Sequence, residues 1–122
     1  MIDNLFSKPL VWVGASQRDF RAFPDEVKSE TGYALFVAQC GGRHRKAKVL
    51  KGFGGAGVVE IVEDHRGDTF RTVYTVRLAS AVYVLHAFQK KSKTGIATPM
   101  TDIRLIEQRL RDAQRLHEET KQ

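Results

Sequence analysis

Basic side chains gather in two places along this chain, and between them lie the residues best suited to acid–base work. The first is Arg43-His-Arg-Lys-Ala-Lys-Val-Leu-Lys51, in which five of nine residues are Lys or Arg. No Asp or Glu stands between Thr31 and Val59. The second is the loop Lys90-Lys-Ser-Lys-Thr-Gly95. A run of like charge is usually a solvated face, but the first run lies in a short link rather than a tail, where it suits a polyanion. Arg45, Lys46, Lys48, Lys90 and Lys91 are therefore candidate contacts to a phosphate backbone. Arg71 is the first candidate for holding charge on a phosphate, because a guanidinium presents two parallel donors. Its plain alternative is an ion pair with Glu60 on the neighbouring strand. His86 titrates near neutrality and could act as an acid, although a histidine within an apolar strand is more often a packed structural residue. Lys51, if desolvated, would have a lowered pKa and could act as a base; like Lys48, it could instead hold a phosphate backbone. Tyr74 falls on the other side of its strand from Arg71, so it leaves this set unless a bulge reorients it.

The formal charge of +6 and pI near 9.7 favour a polyanionic partner over an acidic or neutral one. The single cysteine, Cys40, excludes an internal disulfide and a Cys-rich zinc site, and fits a reducing, cytoplasmic setting. The histidines at 44, 65, 86 and 117 lack metal-ligand spacing, so neither metal nor cofactor is expected. There is no signal-peptide pattern and no apolar run of the ~20 residues needed to span a bilayer, so no membrane role is expected.

Three runs rich in Val, Ile, Thr, Tyr and Phe must position these groups. They lie between residues 57 and 91, with breaks at 64–68 and 79–80, and predict an antiparallel meander. Alternation puts Arg71, Val73 and Thr75 on one face of the middle strand. In the last strand it groups Val82, Val84, His86, Phe88 and Lys90. Residues 9–13 predict a first short strand. Ser16, with Asp19 three residues on, resembles a capping box opening a short helix. A second helix over residues 24–39 contains Gly32, which costs about 1 kcal/mol relative to alanine; close packing on the sheet would account for it. Residues 51–57 are glycine-rich but lack the ending of a phosphate-binding loop and the helix after it, so they read as a tightly turned lead into the sheet. Thr98 and Pro99 mark the start of a final helix to about residue 119, with Ile103, Ile106, Leu110 and Ala113 as its apolar stripe. The order is β-α-α-β-β-β-α, an α+β fold in a single domain over residues 1–122. One sheet face packs on helices and the other is left for a site.

Lys48-Val-Leu-Lys-Gly52, Val59-Glu-Ile61, Thr69-Phe-Arg-Thr-Val-Tyr74 and Val84-Leu-His-Ala-Phe-Gln-Lys-Lys91 precede Thr98-Pro99 in a characteristic order. In these pieces the chain resembles the RelE/HigB toxins of bacterial type II toxin–antitoxin systems, in their phage-derived branch, from about residue 9 to the last helix. The resemblance implies a compact RelE-like antiparallel sheet flanked by helices, with the active surface on its exposed face. It also implies a ribosome-dependent mRNA endonuclease without cofactor or metal, neutralised by a small cognate helix-turn-helix antitoxin. Metal-free RNA cleavage needs a base for the 2′-hydroxyl, an acid for the leaving 5′-oxygen and fixed positive charge on the phosphorane. Arg71, His86 and Lys51 are the candidate catalytic residues for those needs. Many relatives carry arginine directly after the Glu-Leu/Ile pair, where this chain has Val62. Either Arg66 or the basic loop substitutes, or cleavage is weakened and the protein pairs with an antitoxin without cutting RNA.

Overall fold

The computed structural model describes residues 7–55, 57–90 and 98–120. The elements are β1 (Leu10–Trp12), α1 (Ser16–Arg21), α2 (Asp25–Gln39), β2 (Ala47–Val49), β3 (Val58–His65), β4 (Asp68–Thr75), β5 (Val82–Lys90) and α3 (Met100–Thr120). They form a five-stranded sheet in the order β1-β5-β4-β3-β2 with helices on both sides. The expected α+β class and the meander β3-β4-β5 are both present. Two details differ from the expected all-antiparallel, four-strand order. The basic run itself supplies β2, which pairs antiparallel with β3. β1 pairs parallel with β5, as the long helical connection after β1 permits; parallel neighbours need such a crossover. The β3–β4 hairpin closes through Arg66 and Gly67, both at positive φ (51° and 87°), the conformation that a two-residue turn matched to strand twist requires.

A β-bulge decides which side chains share a face. Val73 stands opposite His86 but Tyr74 stands opposite Val84, so Leu85 is an extra residue on β5. Strict alternation therefore fails there, as it must across a bulge. Val82 and Val84 turn toward α2 and join Tyr74, Val59, Ile61, Ala34, Leu35 and Ala38 in one buried cluster. His86, Phe88 and Lys90 stay on the opposite face, where Tyr83 and Leu85 now join them. The bulge does not move Tyr74, which remains across the sheet from Arg71. Burial raises its hydroxyl pKa, with the Arg43 cation opposing that rise.

α2 covers its side through Val27, Thr31, Ala34, Leu35 and Ala38 at helical spacing. Phe23 extends this layer edge-on to Phe70 on β4. Ser16 is not the N-cap of α1 as expected. Ala15 occupies that position, and the buried Ser16 hydroxyl donates to the Val84 carbonyl at 3.1 Å, tying α1 to the sheet. On the opposite face Ile106, Leu110 and Ala113 of α3 pack on Val13, Val58, Val73, Tyr83 and Leu85. Full burial of each such large side chain contributes about 1.5–3 kcal/mol. The glycine-rich stretch is a turned connection carrying Phe53 into this core, with Gly52, Gly54 and Gly55 all at positive φ. Among the described residues no helix is long and apolar enough to cross a membrane.

Candidate functional site

The sheet face expected to be left open is instead covered by α3, because its apolar stripe needs a partner, but α3 dries only part of that face. Beyond its first turn, four strands each contribute one charged side chain to a diagonal row: Lys48 from β2, Glu60 from β3, Arg71 from β4 and Lys90 from β5. Lys48 stands directly across from Glu60. Arg71 pairs with Val62 and so reaches Glu60 diagonally, and Lys90, paired with Thr69, stands diagonal to Arg71. Diagonal neighbours in a sheet lie about 7–8 Å apart at their Cα atoms, within reach of long side chains. Arg71 Nη1 donates to both Glu60 oxygens at 3.0 Å, and the Thr98 hydroxyl donates to Glu60 Oε2 at 3.2 Å. Glu60 is 2 % exposed and Arg71 6 %.

A cleft of about 420 Å³ opens beside this row. Lys48, Lys51, Glu60, Arg71 and Thr98 form its polar wall, and Val49, Leu50 and Ile103 its apolar one. Glu60 is the one carboxylate in that lining among the described residues. Lys90 closes the row. Most of its surface is covered, with 8 % left exposed. Desolvation lowers its pKa, the Arg71 and Lys48 cations lower it further, and Glu60 opposes them.

Of the residues singled out from sequence, the fold brings Lys48, Lys51, Arg71 and Lys90 to this one place. It carries Arg45 and Lys46 elsewhere, to a second cleft under the N-terminal half of α2 with Glu26, Glu30, Glu63 and His65. There Lys46 Nζ binds Glu63 at 2.9 Å. Lys91 lies outside the described residues. Arg66 sits at the hairpin tip, five residues along β4 from Arg71, roughly 17 Å of extended chain. Val62 is a half-buried neighbour of Arg71 on this face.

His86 shares the face but not the cleft. It lies between β5 and α3, stacked on Phe88 with ring centroids 4.6 Å apart. Nε2 is 2.7 Å from Asp102 Oδ1, and Nδ1 is 3.4 Å from Arg109 Nη1. A neutral ring donating from Nε2 and accepting at Nδ1 satisfies both partners. Burial, the largest influence, lowers the His86 pKa against the opposing pull of Asp102, and the Arg109 cation lowers it further, which favours that neutral form. Arg109 also donates to the Leu85 carbonyl at 3.0 Å. Its guanidinium lies against Gly14, where a Cβ would come within 2.9 Å of Nε. Gly14 (φ 57°) is thus needed for both the turn and the close approach.

Glu60 and Thr98 did not figure as site residues in the sequence. Glu60 was visible there only as the possible ion-pair partner of Arg71. The usable signal was a lone carboxylate within Val58-Val-Glu-Ile-Val62, since a strand buries glutamate only when it is paired. Thr98 reads as a helix cap, and its link to Glu60 across 38 residues is a product of tertiary structure.

In solved structures, the chain is similar to one chain of the RelBE2 toxin–antitoxin complex from Mycobacterium tuberculosis. The identity is 18 %, the match covers 74 % of this chain and 99 % of that one, and the TM-score is 0.46. No curated protein matches. The family model described as "Phage derived protein Gp49-like" matches residues 18–111. That span takes in most of the chain, including every strand from β2 to β5, and the chain therefore belongs to the phage-derived Gp49-like family, a family of RelE-like toxins.

Proposed function

We propose that this chain is the toxin of a type II toxin–antitoxin pair and cleaves mRNA on the ribosome without a metal. A small helix-turn-helix antitoxin would hold it inactive. The observation that carries this reading is the convergence of Lys48, Lys51 and Arg71, with Lys90 beside them, around Glu60, the one carboxylate among the described residues lining an open cleft. Four cations against one anion leave a net positive rim for a phosphate backbone. A buried ion pair is weak evidence for stability, because its desolvation cost can exceed its Coulombic gain. Glu60 and Arg71 at the rim of a cleft are better accounted for by chemistry than by folding.

In this reading Glu60 accepts the proton of the ribose 2′-hydroxyl as that oxygen attacks the adjacent phosphorus. Arg71 and Lys48 stabilise the negative charge on the phosphorane. Lys90, its pKa drawn down by desolvation and by Arg71, donates a proton to the departing 5′-oxygen. Lys51 holds the backbone at the mouth. Leu50 and Ile103 offer an apolar wall to a base. His86 acts indirectly, by seating the first turn of α3 through Asp102. Induction of the wild-type chain without antitoxin should arrest growth with cut mRNA, and Arg71→Ala with Lys90→Ala should relieve the arrest.

A second reading has its own observation in favour. Val62 leaves an apolar side chain where the resemblance to RelE/HigB toxins implies that many relatives carry arginine, and Arg71 is already engaged by Glu60. A RelE-fold protein that binds an antitoxin without cutting would give no arrest, or arrest with intact mRNA.

A further inference from the structure

The outward face of α2 serves neither the core nor the cleft. Tyr33, Phe36 and Cys40 follow one another at helical spacings of three and four, and all three are exposed, Tyr33 at 59 % and Phe36 at 44 %. A single exposed apolar residue needs no explanation, but an aligned stripe is a patch. His44 braces Tyr33 edge-on, with ring centroids 5.6 Å apart. Gly32, four residues before Phe36, adds an independent observation. A Cβ built there meets nothing within 4 Å, so the sheet does not demand glycine as expected from sequence. A mid-helix glycine that the fold does not use leaves a flat notch beside Phe36, where a second backbone can come close.

Charge along the face is polarised. The first half of α2 carries Asp25, Glu26 and Glu30 beside a single Lys28, and Arg45 folds back to the cleft with Glu26 and Glu30, whereas Arg43 and His44 follow the C-terminal end of α2 with no carboxylate nearby in sequence. A partner with an apolar ridge and acidic residues beyond its end matches that pattern. RNA does not, because its phosphates would meet Asp25, Glu26 and Glu30.

We propose that this face docks an amphipathic helix of the antitoxin, whose apolar side crosses Gly32 and Phe36 and whose acidic residues meet Arg43. The proposal rests on the reading of the chain as an antitoxin-bound toxin, and it places the partner on the opposite side of the sheet from the cleft. Cys40, the only cysteine of the chain, reports directly on the face. Its alkylation by N-ethylmaleimide, followed by mass spectrometry of the full chain, should slow at least tenfold when the small protein encoded beside this gene is added. Tyr33→Ser with Phe36→Ser should raise the Kd for that protein at least tenfold. Gly32→Leu should do the same while leaving the melting temperature unchanged or higher, which separates a blocked notch from a damaged helix. Neither change should alter the affinity for a single-stranded RNA oligonucleotide. Wild-type binding with unprotected Cys40 and unaffected variants would overturn this placement and leave the proposed function standing. Weakened RNA binding would make the face an RNA surface, and self-association in sedimentation that the same variants abolish would make it a dimer interface; either overturns the proposal. Failure of the wild-type chain to bind the co-encoded protein would overturn the antitoxin reading along with it.

Discussion

The sheet face under α3 has two halves built from the same strands with opposite chemistry. Toward one end β3, β4 and β5 offer Val58, Val73 and Leu85 to Ile106 and Ala113, and the packing is dry. Toward the other end the same strands offer Glu60, Arg71 and Lys90, and the packing opens into a cleft. Strand propensity is continuous through both halves, so it does not explain the change. The dry half excludes water and holds the fold. The charged half buries an ion pair, whose desolvation cost offsets its Coulombic gain and which is therefore weak evidence of a stabilising role. Under the proposed function, that contrast separates residues that hold the fold from residues that would serve the reaction.

The contrast can be broken at either half. Leu85→Ala should cost about 2–5 kcal/mol of stability, since it leaves a cavity under α3; urea denaturation measures it, and RNA affinity under folding conditions should stay within twofold. Replacing the ion pair, Glu60→Leu with Arg71→Met, should leave stability unchanged or raise it by about 1–4 kcal/mol while abolishing RNA cleavage. A large loss of stability in that double variant would make the charged half structural. Gly32→Ala should add about 1 kcal/mol, because the helix gains propensity and the new Cβ meets open space.

Smaller effects sharpen the contrast. RNA binding should weaken with salt, with a slope of about −0.7 per phosphate contacted on a single strand, and Lys48→Ala should reduce the slope by about that amount. Arg45→Ala, in the other cleft, should change it less. The buried His86 supplies a pH test. The folded chain keeps it neutral below its ordinary pKa of 6.5, while the unfolded chain takes up a proton near that value. Stability should therefore fall as pH drops below about 6.5, until the lowered folded-state pKa is passed. His86→Gln, which keeps a donor for Asp102 and an acceptor for Arg109, should flatten that part of the profile in urea midpoints taken between pH 7.5 and 5.5.

Much of the fold was legible from local pattern. The runs of β-branched residues marked β3 to β5, Pro24 and the Gly41-Gly42 stop bracketed α2, and the stripe from Ile103 to Ala113 marked the buried side of α3. What pattern could not carry was long-range geometry. The bulge at Leu85 has no local signature in Val84-Leu-His86, yet it decides that Val84 and His86 face opposite ways. β2 was hidden because its three residues lie inside a run dominated by charge. The basic run looked like one patch, but Lys48 lines one cleft and Lys46, which precedes β2 and so escapes its alternation, lines another. Arg71 and Glu60 could be read as an ion pair, whereas their place in a cleft depended on where α3 begins. Arg109 of α3 carries no local sign in the sequence that it fills the space that Gly14 leaves open.

The most direct test is cleavage of mRNA on translating ribosomes by the purified chain, freed of any partner. Wild type should be compared with Lys48→Ala/Lys51→Ala and with Glu60→Gln, each checked for wild-type thermal stability. Site-specific cuts by the wild type, with at least tenfold slower cutting by both variants, is the expected result. Intact mRNA with the wild type, or unchanged cutting by folded variants, would contradict the claim that the charged half of the sheet is where the reaction occurs.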